Sequence, residues 1–183
     1  NLKRFIIFFG VVSVMMGAVL VAAPYRVKRL LTFLDPWTHQ YDEGYQLVNS
    51  LIAVGSGGLF GSGLGQSVQK HDYLPEAHND YIFAIIGEEL GLVGTLAVVL
   101  LYLGLIYCSV TIMVRTSDRF VRLAAGGITV WITAQALINM GMVTGVLPVI
   151  GVPLPFISYG GSSLLASMFA AGLLFAFSRQ APV

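Results

Sequence analysis

Three long intervals without charged side chains set the pattern of this chain, at residues 5–23, 90–114 and 123–178. A membrane-spanning helix needs about 20 apolar residues, so each of the first two intervals fits one span. The third is too long for one helix, and the prolines and glycine at 148–155 divide it into two. The pattern predicts an all-α integral membrane protein with four spans, near residues 5–24, 81–114, 121–146 and 158–178.

The connections between these spans differ in length. Residues 25–80 form a large loop, and residues 147–157 form a short turn on the same side of the membrane. Within the loop, Tyr45–Val54 and Val27–Phe33 are long and apolar enough for short helices. We therefore expect a single membrane domain over residues 1–183.

The first span resembles a secretory signal, because it follows Lys3 and Arg4 and ends in Ala-Ala-Pro. Its apolar stretch is longer than a signal core, however, and three more spans follow it. The chain opens on Asn1, so we expect it to be part of a longer polypeptide.

Composition supports a lipid environment: 56% of the 183 residues are hydrophobic and 10% are charged. Soluble domains carry about 25% charged residues. The net charge of +1 gives no electrostatic reason to expect a nucleic-acid partner. Cys108 is the only cysteine, which excludes an intrachain disulfide and a multi-cysteine zinc site.

The basic residues indicate the orientation. Six of the ten lie at the termini or in the 115–122 loop, and positive residues of short loops remain cytoplasmic. We expect cytoplasmic termini, with loop 25–80 and turn 147–157 outside.

That loop holds six of the nine carboxylates and all three histidines. The densest polar stretch runs from Lys70 to Glu89 and includes His78, Asn79 and Asp80 where the second span begins. Asn79 or Asp80 would serve as a helix N-cap. A carboxylate at an apolar boundary could also have the raised pKa of a general base, and the two roles are compatible.

Two other features of this region each allow two interpretations. Glu88 lies about 12 Å along the helix from Asp80, and at that depth it needs a hydrogen-bond partner or a cavity. The segment 55–65 contains six glycines but lacks a nucleotide-binding motif. It is either a tight backbone path against helices or lipid, or an anion nest for a diphosphate.

Other polar residues suggest simpler roles. His71 and His78 are too far apart in sequence, beside scattered acids, to predict zinc, so metal ligands are unknown at this point. Gln135, Asn139 and Ser167 are expected to form interhelical hydrogen bonds.

Several motifs together resemble the SEDS family (shape, elongation, division and sporulation). They are Gly55-Ser-Gly-Gly-Leu-Phe-Gly61, Leu74-Pro-Glu-Ala-His-Asn-Asp-Tyr-Ile-Phe-Ala84, Gly87-Glu-Glu-Leu-Gly91 and Pro153-Leu-Pro-Phe-Ile-Ser-Tyr-Gly-Gly-Ser-Ser163. Residues 33–37 and 67–70 are more similar to the FtsW and SpoVE branch than to RodA.

The resemblance implies a ten-span enzyme of the bacterial inner membrane that polymerises lipid II into peptidoglycan strands, of which this chain would hold the last four spans. It implies that Asp80 is the family's essential loop aspartate and that a divalent cation, Mg²⁺ or Mn²⁺, supports activity. It also implies a class B penicillin-binding protein, a transpeptidase, as partner, together with other division or elongation proteins.

The resulting hypothesis is that Asp80 takes the proton of the acceptor sugar 4-hydroxyl as this attacks C1 of the donor and expels undecaprenyl diphosphate. A metal ion, or one of Lys70, Arg26, Lys28 and Arg29, would stabilise the leaving group. The turn at 153–163 either lines the cavity or is a helix-capping hairpin. The expected substrate-binding residues are Lys70, His78, Asn79, Glu88, Ser158, Gly160, Gly161 and Ser162.

Two alternatives come from other functional classes. A flippase or transporter of the lipid-linked precursor would use the intramembrane glutamates and the helix-breaking turn. A scaffold for the partner synthase would not need Asp80.

Overall fold

The computed structural model describes residues 6–7, 9–11, 14–15, 29, 31–71 and 73–179. These residues contain no β-strand. The expected all-α class is therefore confirmed. The helices with complete bounds are α1 (Tyr45–Ser56), α2 (Ile82–Arg115), α3 (Arg119–Val143) and α4 (Gly161–Ser178).

Helices α2, α3 and α4 are long and apolar enough to cross a membrane. Large apolar side chains are exposed on them, such as Leu101 (73% exposed) and Phe169 (71%). Exposed apolar surface of this kind suits contact with lipid. The chain is thus a multi-pass membrane protein. The predicted span at 5–24 lies largely outside the described residues, so the four-span count stays a prediction. Arg26 and Lys28 lie outside them as well.

Local chain chemistry determines the ends of α3. Asp118 accepts hydrogen bonds from the backbone amides of Phe120 (2.7 Å) and Val121 (3.2 Å), as an N-cap aspartate does. At the other end, Val146 N donates to Gly141 O (2.8 Å), and Gly145 has a φ of 71°. This arrangement is a Schellman motif. Helix α3 therefore ends at Val143, before the prolines that the sequence analysis used as its stop signal.

Helix α2 is interrupted at Gly91, where φ is 66° and ψ is −157°. Residues 57–63, which we call the glycine segment, pair with the interruption. Ser62 N and Gly63 N donate to the carbonyls of Glu88 (2.9 Å) and Glu89 (3.0 Å), and Leu92 N donates to the carbonyl of Gly58 (2.9 Å). A break in an apolar helix leaves backbone groups that cannot remain unsatisfied in lipid, and the glycine segment satisfies them.

This pairing requires close backbone approach. A Cβ at Gly57 would lie 1.8 Å from the carbonyl oxygen of Gly87, and one at Gly61 would lie 2.1 Å from that of Glu89. The structure thus shows the tight backbone path. The amides of Gly61, Ser62 and Gly63 all donate to backbone carbonyls, so they are not free to bind an anion.

The chain divides into two compact units, residues 1–48 and 49–183. In the first unit, the carboxylate of Asp35 accepts a hydrogen bond from the Thr38 hydroxyl (2.6 Å), and Gly44 N donates to the carbonyl of His39 (3.0 Å). In the second unit, α2 packs mainly against α3, and α4 contacts both. The Ser50 hydroxyl of α1 donates to the carbonyl of Val143 (2.8 Å). The predicted short helix at Tyr45–Val54 is confirmed by α1.

Candidate functional site

Asp80 lies two residues before the start of α2 and is partly exposed. Tyr81 occupies the N-cap position of α2, and no side chain forms a capping hydrogen bond there. The prediction of Asn79 or Asp80 as the N-cap is therefore wrong. The amide of Asp80 instead donates to the carbonyl of Glu76 (3.1 Å), a residue with a φ of 56°. This turn leaves the Asp80 carboxylate without a capping role.

Burial raises the pKa of the Asp80 carboxyl above its ordinary value, and the nearby Glu76 carboxylate raises the pKa further. Both effects disfavour the charged form, because burial removes water from the carboxylate and the like charge repels it. A carboxylate with a raised pKa is a stronger proton acceptor than an ordinary aspartate.

Asn139 of α3 packs against the backbone of Asp80 and is 0% exposed. Its Nδ2 donates to the main-chain carbonyls of Asp80 (2.8 Å) and Val152 (2.6 Å). Next to these bonds, a Cβ added at Gly151 would lie 3.1 Å from Oδ2 of Asp80, and the φ of Gly151 is +77°. One buried amide thus joins Asp80 to the segment before α4.

That segment, residues 148–160, we call the proline turn. Side chains of the spanning helices hold its carbonyls: Gln135 Nε2 donates to Pro153 O (2.9 Å), and the Tyr102 hydroxyl donates to Pro155 O. Ser158 is buried, and its hydroxyl accepts a hydrogen bond from Leu154 N (2.7 Å). The proline turn is therefore stabilised both by its own hydrogen bonds and by side chains of α2 and α3.

A cavity of about 400 Å³ lies between this turn and the residues preceding α2. Tyr159 N donates to His78 O (2.8 Å), and the two rings meet edge to face with centroids 5.9 Å apart. Asp80 is not itself a lining residue, although it lies two residues beyond His78. The lining residues are His78, Ile82, Phe156, Ile157, Ser158, Tyr159, Gly160, Gly161 and Leu164.

Glu88 and Lys70 belong to a second cluster. Glu88 is 4% exposed and accepts hydrogen bonds from the Ser67 hydroxyl (2.5 Å) and from the amides of Val68 (2.8 Å) and Gln69 (3.3 Å). Lys70 Nζ forms an ion pair with Glu89 (2.6 Å). The side chains of Glu88 and Lys70 both have partners within the chain, so this cluster holds the loop against α2.

The structure thus brings His78, Ser158, Gly160 and Gly161 to one cavity. Asn79 bonds to Glu76 instead, and Ser162 is exposed in the first turn of α4. Gln135 and Asn139, expected to bond between helices, bond to loop carbonyls, whereas Ser167 donates to Ser163 within α4 (2.8 Å). Tyr102 and Tyr159 were missed, because nothing in the sequence distinguishes them from other aromatic residues of a membrane helix or its flank.

The described residues do not bring potential metal ligands together. Among the residues that the structure describes, no three His, Cys, Asp or Glu side chains lie close enough together to hold a metal ion. The divalent cation that the family resemblance implies therefore has no ready cluster of protein ligands within the described ranges, and it stays a prediction.

Together, the fold and site define a helical membrane protein with a carboxylate where a polar loop enters a spanning helix. The chain belongs to the FtsW, RodA and SpoVE family, described as cell cycle proteins, whose family model matches residues 1–182.

Two relatives illustrate the relationship. The probable peptidoglycan glycosyltransferase FtsW of Dichelobacter nodosus is 52% identical over 95% of this chain and 45% of its own length. The stage V sporulation protein E of Bacillus subtilis is 46% identical over 94% of this chain and 48% of its own length. The chain spans about half the length of these curated relatives.

A solved chain supports the fold. It comes from work described as "Structural coordination of polymerization and crosslinking by a peptidoglycan synthase complex", and it superposes with a TM-score of 0.71. The alignment covers 97% of this chain and 49% of the solved chain, at 24% identity.

Proposed function

We propose that this chain is the C-terminal part of a peptidoglycan glycosyltransferase that polymerises lipid II at the outer face of the bacterial cytoplasmic membrane. The observation that carries the proposal is the setting of Asp80: its backbone is held by buried Asn139, and its pKa is raised by burial. The FtsW relatives, named as probable peptidoglycan glycosyltransferases, support the same activity.

In the proposed reaction, the Asp80 carboxylate accepts the proton of the acceptor sugar 4-hydroxyl. The oxygen attacks C1 of the donor from the face opposite the leaving group, so the configuration inverts. The bond between C1 and the diphosphate oxygen breaks, and its electron pair leaves with undecaprenyl diphosphate. A positioned base contributes about 100-fold to 10,000-fold to such a step.

We propose that the cavity between His78 and the proline turn receives part of the substrate. His78 and Tyr159 provide aromatic faces, and Gly160 and Gly161 provide backbone without side chains. Asn79, Ser158 and Ser162 lie around this region, whereas Lys70 and Glu88 would act from the second cluster, as supports of the loop.

The leaving diphosphate needs positive charge. Lys70 is paired with Glu89, so it would have to leave that ion pair to reach the diphosphate. A divalent cation, Mg²⁺ or Mn²⁺, would supply the same positive charge, and no proposed step depends on one.

The proposal includes a location and partners. Cytoplasmic termini would put loop 25–80 and the proline turn outside, where no nucleotide sugar is available and a lipid diphosphate supplies its own leaving group. A class B penicillin-binding protein would cross-link the strand that this enzyme makes, alongside other division or elongation proteins.

The deciding experiment uses the full-length protein, purified with its partner after the transpeptidase has been blocked, and supplied with lipid II and Mg²⁺. Asp80→Asn should lower the rate of glycan polymerisation by about 100-fold or more. Asp42→Asn is the matched control, because Asp42 is an exposed aspartate of the same loop. Equal rates for the two variants would refute the base role.

A flippase is the other candidate, because the interrupted α2 resembles the broken helices of transporters. The glycine segment, however, already occupies the backbone groups of that break. Transfer of lipid II across vesicle membranes by the purified protein, without any polymerisation, would favour the flippase.

A further inference from the structure

Asn139 occupies an unusual position for a polar residue of a spanning helix. It is fully buried, yet it bonds to no other helix side chain in the described part of the chain. Its two donor bonds go to carbonyls that lie far apart in sequence, at Asp80 and Val152. Its own Oδ1 is buried without a hydrogen-bond partner among the described residues.

The chemistry of the two bonds restricts the residue type. A carboxamide carries two N–H groups on one nitrogen, and here one points to each carbonyl. Exchanging the amide N and O would place an oxygen against two carbonyl oxygens, so the network determines the orientation of the amide. Aspartate has the same shape but no donor, and leucine has neither donor nor acceptor.

Gln135 allows the link to Asp80 to be tested separately from the support of the proline turn. Gln135, one turn earlier on α3, donates to the carbonyl of Pro153, whereas Asn139 donates to the carbonyls of Val152 and Asp80. Both side chains hold the proline turn, but only Asn139 also holds the loop that carries the proposed base. This difference isolates the link to Asp80 from the general support of the turn.

We propose that Asn139 is a positioning residue that sets the distance between Asp80 and the cavity wall formed by the proline turn. The inference rests on the proposed function, since Asp80 must be the base for its position to matter. Asn139 bonds to the main-chain carbonyl of Asp80 and not to its carboxylate. It therefore acts through the position of Asp80 and not on the substrate. A misplacement of 1 Å at a reacting group can lower a rate by about 100-fold.

The test compares Asn139→Leu with Gln135→Leu in the full-length protein bound to its blocked partner, with lipid II as substrate. Both variants leave turn carbonyls unsatisfied, so both should lower the thermal midpoint. Asn139→Leu should also lower kcat by roughly 10-fold to 100-fold with little change in KM, whereas Gln135→Leu should lose less than about 3-fold. Asn139→Gln restores two donors on a longer side chain and should recover part of kcat.

A second measurement does not depend on the reaction. His78→Cys and Tyr159→Cys, in a full-length background from which Cys108 and any other cysteine have been removed, would report the contact between loop and turn by the rate of oxidative crosslinking. Asn139→Leu should slow this crosslinking and Gln135→Leu should not.

The outcomes are distinguishable. Equal kcat values for Asn139→Leu and Gln135→Leu, or an unchanged crosslinking rate in Asn139→Leu, would overturn the positioning role while leaving the Asp80 proposal intact. Full activity of Asp80→Asn would overturn the base proposal itself, and with it the reason for positioning Asp80.

Discussion

Gly57 provides a sharp test of the close packing between the glycine segment and α2. In Gly57→Ala, the new Cβ would lie 1.8 Å from the carbonyl oxygen of Gly87, whereas real Cβ atoms stay at 3.0 Å or more. The backbones must therefore separate by at least 1.2 Å, the difference between these values. Gly57 has no positive φ, so the expected damage comes from packing and not from backbone strain.

The magnitude follows from what that separation does. Overpacking of a tight interior costs about 1–3 kcal/mol. A shift of this size would also stretch the bond from Ser62 N to Glu88 O beyond hydrogen-bonding range, and an unsatisfied buried group costs about 1–3 kcal/mol. We expect a combined loss of about 2–6 kcal/mol, and therefore a lower thermal midpoint.

The assay is thermal unfolding of the purified protein in detergent, followed by loss of the monodisperse peak in size-exclusion chromatography. Gly55→Ala is the matched control, because Gly55 is an exposed residue in the last turn of α1 and nothing lies within 4 Å of its added Cβ. Alanine there should be neutral or stabilising by about 0.5–1 kcal/mol. Equal midpoints for the two variants would refute the close-packing argument.

Two further predictions concern carboxylates. Glu88→Ala should lower the free energy of unfolding by about 3 kcal/mol, since it leaves the Ser67 hydroxyl and two amides without an acceptor. Glu88→Gln keeps an acceptor and should cost less in the same unfolding assay. Equal losses would contradict the hydrogen-bonding role. The rate of polymerisation should fall as pH decreases through the pKa of Asp80, which is raised above the ordinary value of 3.8. Glu76→Gln should move this fall to lower pH because it removes a like charge. An unmoved pH–rate profile would contradict the effect of Glu76 on the pKa of Asp80.

The helices were predictable from the sequence because charge-free length is a strong signal for a membrane span. Helices α2, α3 and α4 begin and end within three residues of the expected positions. The end of α3 differed because Gly145, rather than a proline, ends the helix. The interruption of α2 at Gly91 was not predicted, since a lone glycine in an apolar run is common and its partner segment lies about 30 residues away.

The site was predictable only in part. The proximity of His78 to Ser158, Gly160 and Gly161 agrees with one of the two interpretations of the turn, in which it lines a cavity with the loop, while the substrate-binding roles of these residues stay predictions. The roles of Asn139 and Glu88 depend on which backbone groups face them, and hydropathy carries no such information. The same limit explains the wrong N-cap prediction, because a turn closed by Glu76, rather than a cap, precedes α2.

The hydrogen bonds of the loop that precedes α2 determine where Asp80 lies. The loop is held on both sides of residues 71–79: Glu88 and Glu89 bind residues 67–70, and Asn139 binds the carbonyl of Asp80. Within that interval, Tyr159 N also donates to the carbonyl of His78. Between these attachments, Leu74 and Ala77 are buried in the core, whereas His71 and Tyr73 are exposed. A carboxylate on a loop held only at its far end would move with the loop. Because the second attachment is at residue 80 itself, the position of Asp80 depends on buried groups of α3, while its side chain stays accessible from the loop side.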